Sequence, residues 1–281
     1  MHNMLRSVIA TATAAFFMVS CAPNAQKSRP LISVSLPVEA YFVERIAGNA
    51  VDVNIMIPQS AGHGDYTPRP SQMRSIAQSD AYLAIGPLDF EQTWRERLTA
   101  NADSMKWIDL SNGIEMLSED EHEGHHHAVN PHYWLSPRQV KTMVANMAKA
   151  LEPVCEMHFD SALAVLNAEI DEFDSLLTSS TKDRHIAFMI YHPALDYLAH
   201  DYGMKQFEIE KHGNAPSPQT YMNEIDNARQ NGVSVVFVQQ GYDQQKAQSA
   251  AEMIGARVVE FSPEGIDWPA TMNIIIESFG R

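Results

Sequence analysis

The chain is poor in cysteine and in positive charge, and beyond residue 20 it has no long apolar run. Its two cysteines are Cys21 and Cys155, which excludes a disulfide framework. Lysine and arginine number 20 against 35 aspartates and glutamates, a formal net charge of −15. Nucleic acid, whose phosphates call for basic surface, is not an expected partner; cations are. No later stretch is apolar enough to cross a bilayer. Catalytic motifs are missing as well. There is no H-E-x-x-H and no G-x-S-x-G elbow. The one candidate for a phosphate loop, "IGPLDF", holds a single glycine. The expectation is a protein that is not an enzyme.

What is present begins with a leader. "MHNMLR" carries Arg6, and "SVIATATAAFFMVS" has the length of a signal-peptide core but is too short to span a membrane. The run ends at "MVSC", which resembles a bacterial lipoprotein lipobox. That resemblance implies loss of residues 1–20, a lipid on Cys21 and a tether over residues 21–30. Cys155 is then the remaining thiol, and its place in the helical pattern "LEPVCEMHF" reads as a small buried hydrophobe.

The rest alternates strand-like and helical patterns, the signature of parallel sheets flanked by helices. "LISVSL", "VDVNIMI", "AYLAIG" and "KWIDLS" form one series, and "HIAFMIY", "QFEIE", "VSVVFVQ" and "RVVEF" a second. Between them Phe159, Leu163, Leu166, Ile170, Phe173 and Leu177 make one apolar stripe on a helix of about six turns. Glu169, Asp171, Glu172 and Asp174 lie off the stripe, towards water. The expected fold is α/β: two lobes, residues 31–156 and 183–281, each with a mostly parallel four-stranded sheet, joined by one helix over residues 157–182. A helical joint is stiff and favours small closing movements.

Ligands of open α/β sheets bind beyond the carboxyl ends of strands. His63 in "SAGHGDYTPRPS", His132 in "NPHYWLSPR" and His192 after "HIAFMIY" fall there. Three neutral imidazoles suit Zn²⁺ with a fourth position for carboxylate or water, whereas calcium and magnesium ask for oxygen. A carboxylate-richer site would lean towards Mn²⁺. Alone, each histidine is also explained by surface or loop packing. His158 and His185 read as structural and His200 as a helix-face residue; His212 is an outlying candidate. The same three histidines with an activated water describe a zinc hydrolase, but no general base accompanies them.

These segments occur in an order that resembles the metal-binding periplasmic receptors of zinc and manganese ABC importers, the ZnuA/TroA-like family. The family's Asp-Pro-His-x-Trp-Leu-x-Pro stands here as "NPHYWLSP", with Asn130 in the acidic place, and Tyr66 with "PRPS" matches its Tyr-x-x-x-Pro-Ser block. The resemblance implies two lobes on a backbone helix, with His132 and His192 as the second and third ligands. His63 becomes the first by a one-residue shift, since the family position is Gly64. The family's Asp-Pro near the last strand is Ser262-Pro263, leaving Asp267, Glu260, His212 or water as fourth ligand. The implied protein is a monomeric, membrane-anchored extracytoplasmic receptor that hands Zn²⁺ to an ABC permease. A manganese-binding or adhesin-like lipoprotein is the alternative within the family.

One stretch stands apart. "SEDEHEGHHHAVNPHYW" packs four acids and five histidines into residues 118–134. Zinc receptors of this family tend to carry such a loop before the second ligand, and manganese receptors tend not to. The loop over 119–127 is too charged to bury a core of its own and is expected to bind metal loosely or to serve as a solvated linker.

Overall fold

Four short strands and their helices build the first lobe of the computed structural model: β1 (Leu31–Val34), α1 (Pro37–Ala47), β2 (Asp52–Ile55), α2 (Pro70–Ile76), β3 (Ala81–Ala84), α3 (Asp89–Thr99), β4 (Lys106–Asp109) and α4 (Pro137–Cys155). The helix α5 (Asp160–Thr181) follows. The second lobe comprises β5 (Ala187–Ile190), α6 (Asp196–Tyr202), β6 (Lys205–Glu208), α7 (Pro218–Gln230), β7 (Val235–Gln239), α8 (Gln244–Ile254), β8 (Arg257–Phe261) and α9 (Trp268–Phe279). The structure describes residues 29–59, 61, 66–100, 102–118, 129–210 and 216–280. The leader, Cys21, most of the tether, His63, the loop 119–127 and His212 lie outside them.

Both sheets are parallel, in the orders β2-β1-β3-β4 and β6-β5-β7-β8. The two-lobe α/β expectation holds. β3, β5 and β7 are buried at every residue, whereas β2, β4, β6 and β8 keep exposed or half-exposed positions. The apolar strands thus take the interior places of each sheet and the mixed ones its edges. In both orders the crossover direction reverses between the two central strands, β1 and β3 or β5 and β7. Crevices at the carboxyl ends of such pairs are where ligands of open α/β sheets sit.

Side-chain alternation divides the second lobe. Phe188 and Ile190 face a core continuous with the first lobe and α5; Met189 and Tyr191 face a smaller one under α7 and α8. Trp268 closes the joint. It is buried, lies 5.4 Å from Phe42 and 5.2 Å from Phe173 between ring centres, and donates from Nε1 to the Trp134 carbonyl at 2.8 Å. Trp134 in turn donates to the Pro263 carbonyl at 2.8 Å.

The acids of α5 depart from the expectation of a plain solvated face. Glu169 takes both guanidinium nitrogens of Arg45 on α1, at 2.6 and 2.5 Å. Asp171 pairs with Lys141 at 2.6 Å, and Asp174 accepts from Arg138 at 3.0 Å and from the Tyr202 hydroxyl at 2.8 Å. They tie the connecting helix to α1 and α4 of one lobe and α6 of the other. His158 and His185 are exposed rather than built into the fold, His200 lies exposed on α6 as a helix-face residue should, and Cys155 is half-buried, its thiol pushed up by burial. Among the described residues no helix is long and apolar enough to cross a membrane.

Two carboxyls lie wholly buried under the first lobe's crevice. Glu91 accepts from Ile85 N–H at 2.9 Å, Gly86 N–H at 2.7 Å and the Ser35 hydroxyl. Glu39 accepts from Leu36 N–H at 2.8 Å, capping α1. Burial pushes Glu91 up to about 7, against its hydrogen bonds, and holds Glu39 well above the ordinary carboxyl range, with help from the Glu91 charge. A carboxyl raised on folding holds its proton in the native state after the unfolded chain has lost it. Its stabilisation is therefore complete below the ordinary carboxyl range and is lost as pH climbs towards 7. At about 1.4 kcal/mol per pH unit, Glu91 alone contributes a decline of about 3 kcal/mol. Urea unfolding of metal-free protein at pH 5 and 7.5 is expected to show about 2 kcal/mol of this decline in wild type and a flatter profile in Glu91→Gln.

Candidate metal centre

His132 and His192 come from different lobes and meet. Their ring centres lie 5.6 Å apart at 72°. His132 precedes a single helical turn, Tyr133–Leu135, that leads into α4; the turn is buried, and the Tyr133 hydroxyl donates to the Ile85 carbonyl at the carboxyl end of β3 at 2.8 Å. His132 is 3% exposed, with Trp134 5.1 Å away on one side. Its Nδ1 is 2.8 Å from Asn130 Oδ1, which also accepts the His132 backbone N–H at 2.9 Å. An amide oxygen only accepts, so Nδ1 carries the proton and the neutral ring has its lone pair on Nε2. That is the tautomer a metal site needs.

His192 follows the buried end of β5. Gln239, the last residue of β7, clamps its backbone: Nε2 donates to the His192 carbonyl at 2.6 Å, and Oε1 accepts the His192 N–H at 3.4 Å. Tyr242 stacks on the imidazole at 5.7 Å and 22°. The switch point of the second sheet thus fixes this histidine by backbone and by ring.

Beside the pair opens a cleft of about 210 Å³, lined from the first lobe by Gln59 and Ala61 and from the second by Gln239, Tyr242, Ser262 and Glu264, among others. Gln59 donates to Ser262 Oγ across it at 3.2 Å. His63 is outside the described residues, but both sides of its loop are anchored. Ala61 N–H donates to the Pro58 carbonyl at 2.9 Å, and the Tyr66 hydroxyl donates to Gln72 Oε1 at 2.8 Å. Of the described residues on either side of it, Ala61 lines the cleft. The acidic histidine loop is rooted nearby: Ser118 and Val129 form an antiparallel bridge, and Asn130 N–H donates to the Leu117 carbonyl at 2.9 Å.

The candidates for a fourth ligand are dispersed. Asp267 is exposed and caps α9, accepting Ala270 N–H at 3.0 Å. Glu260 is exposed on β8, and His212 is not among the described residues. Among those residues no three His, Cys, Asp or Glu side chains gather as a metal-holding group. Sequence reading passed over Glu264, whose carboxyl lines the cleft and is pushed by burial up to about 7. It raises the nearby Tyr242 hydroxyl, already raised by burial, to about 12. Gln239 and Asp196 were missed as well; their signal is position alone, at the end of a central strand and four residues past His192.

Comparisons with known proteins bear on the family and the fold. The family model described as the periplasmic zinc-uptake complex component A matches residues 32–275. The chain is 28% identical over 235 residues to the high-affinity zinc uptake system protein ZnuA of Bacillus subtilis, covering 77% of this chain and 72% of that one. It is 23% identical over 275 residues to the zinc-binding lipoprotein AdcA of Streptococcus pneumoniae, covering 92% of this chain but only 54% of AdcA. A crystal structure of ZnuA superposes with a TM-score of 0.80 at 31% identity, over 88% of this chain and 97% of that one. A Mn-bound periplasmic metal-binding protein from Candidatus Liberibacter asiaticus shares the fold, with a TM-score of 0.77 at 19% identity, over 89% of this chain and 99% of that one. With its family model matched over nearly the whole of both lobes, the chain is a member of the family of periplasmic zinc-uptake components.

Proposed function

We infer that this protein is an extracytoplasmic receptor that captures Zn²⁺ between its lobes and delivers it to an ABC permease. The observation that carries the reading is the meeting of two orientation-locked histidines, one from each lobe, beside an interlobe cleft. His132 Nε2 and His192 supply two imidazole ligands, and His63 is the third in this reading. The family match supports zinc as cargo, and a neutral nitrogen-rich donor set favours zinc over the oxygen-seeking cations. A Ser262 that pairs with Gln59 leaves less carboxylate than a manganese site would want. Glu264 is the cleft carboxyl nearest to filling a fourth position, with water as the alternative.

No catalytic step is assigned. Delivery asks for a site that grips and releases, not for turnover. The lipid on Cys21 and a monomeric receptor complete the reading; the name of AdcA as a lipoprotein supports the first. The loop 119–127, rooted one residue before Asn130, is a secondary metal-collecting segment.

Calorimetric zinc titration of the soluble form beginning at Ala22 tests this. One tight site and several weak ones are expected, and deletion of residues 119–127 should remove only the weak ones. Loss of the tight site on deletion would transfer the principal site to that loop. Protons compete with metal for imidazole below about pH 6.5. The tight affinity is therefore expected to fall about tenfold or more between pH 7.5 and 5.5, and a flat profile would rule out imidazole ligation.

A further inference from the structure

Asn130 stands where the family's motif carries an acid, yet its surroundings supply one. It is 1% exposed and is hydrogen-bonded to both lobes: its Oδ1 and backbone N–H to its own, the rest to the opposite one. Its Nδ2 donates to the Pro193 carbonyl at 3.2 Å and to Asp196 Oδ2. Its own carbonyl accepts the Tyr197 hydroxyl at 2.9 Å. The carbonyl of Pro193 and the Asp196 carboxylate only accept, while the His132 N–H only donates. The amide therefore has one satisfied orientation, with nitrogen towards Asp196 and oxygen towards His132. Reversed, it would set donor against donor at His132 and acceptor against acceptor at Asp196. The second oxygen of Asp196 is held by Gln206 Nε2 from β6.

We propose that Asp196 is a positioning residue for metal capture, acting through Asn130 to fix the tautomer and ring orientation of His132. The negative charge that orients this histidine is displaced by one hydrogen bond and moved to the other lobe. Asp196 opens α6, four residues after His192. One turn of the second lobe thus carries one ligand and the group that aims the other. His132 is then fully aimed only while the lobes are in contact at Asn130, which couples the readiness of the site to the closed arrangement. Groups that hold ligating histidines through the distal nitrogen typically change metal affinity 10–100-fold when lost. The inference rests on His132 being a zinc ligand.

The test compares zinc affinity, by competition with a chromophoric chelator, in wild type, His132→Ala, Asp196→Ala, Asp196→Asn and the exchange Asn130→Asp/Asp196→Asn. Imidazole ¹⁵N spectra of the metal-free proteins report the His132 tautomer. Both single changes at Asp196 are expected to weaken zinc by about 10–100-fold and to mix the tautomers. The exchange restores a carboxylate–amide pair with the charge beside His132, though it gives up the bond to the Pro193 carbonyl; it is expected to bind zinc at least about tenfold more tightly than Asp196→Asn, with Nδ1 protonated again. An exchange no better than Asp196→Asn would overturn the proposal, because a merely structural Asp196 gains nothing from a charge at residue 130. So would wild-type affinity in Asp196→Ala alongside loss in His132→Ala. Wild-type affinity in His132→Ala would instead remove the underlying site reading.

Discussion

His132→Ala and His192→Ala are each expected to weaken the tight zinc site by at least about a hundredfold, on the order of 2.7 kcal/mol. Each removes an imidazole rather than a group behind one, so the loss exceeds the range for outer-shell changes. The two should not add. Both side chains act on one metal ion, so once either is gone the second removal costs less than the first. The controls follow from burial. His132 is 3% exposed and bonded to Asn130, so its loss is expected to lower apo stability by about 1–2 kcal/mol. His192 is half-buried, with its backbone held by Gln239, and its loss should leave the apo fold nearly unchanged. Competition titrations with circular dichroism on each variant separate the two effects. Retained tight binding in both variants would place the zinc elsewhere.

The largest stability effect is expected at Trp268. Its ring fills the joint between α1, α5 and the second lobe, and its Nε1–H satisfies the Trp134 carbonyl. Trp268→Ala opens a cavity and strands that buried carbonyl, at a cost of about 3–5 kcal/mol. Trp268→Phe keeps most of the volume and isolates the hydrogen bond, at about 1–2 kcal/mol. Urea unfolding of the metal-free proteins measures both. Because Trp134 also packs on His132 and bonds to Pro263 beside the cleft, a second consequence is expected. Trp268→Ala should weaken zinc binding as well, while Arg45→Ala, which breaks the Glu169 pair at the surface, should not.

Much of this architecture was legible in residue order. The stripe from Phe159 to Leu177 announced α5 because its period is local. The strands announced themselves by apolar runs, though these overran the true ladders: "VDVNIMI" continues past β2 because Met56 and Ile57 remain buried and bond to Val34 and Ser35 at the crevice. His132 and His192 were legible as candidates because each sits at a strand end or before a helix. Their meeting was not, since it depends on the packing of two lobes. Nor were Asn130, Gln239 and Asp196 legible as supports. Each acts through hydrogen bonds to residues 47–66 positions away, and no local pattern encodes those. The same holds for the α5 acids: helix periodicity put them off the apolar stripe but could not show Arg45, Arg138 and Lys141 waiting across the joint.

The most direct test of the central claim is anomalous diffraction at the zinc edge from crystals grown with one equivalent of zinc. The account predicts a single strong peak bonded to His132 Nε2 and to the His192 ring at about 2.0–2.1 Å, between the lobes and beside the Gln59–Glu264 cleft. A lone peak away from both rings, in the 119–127 loop or on the surface, would contradict it.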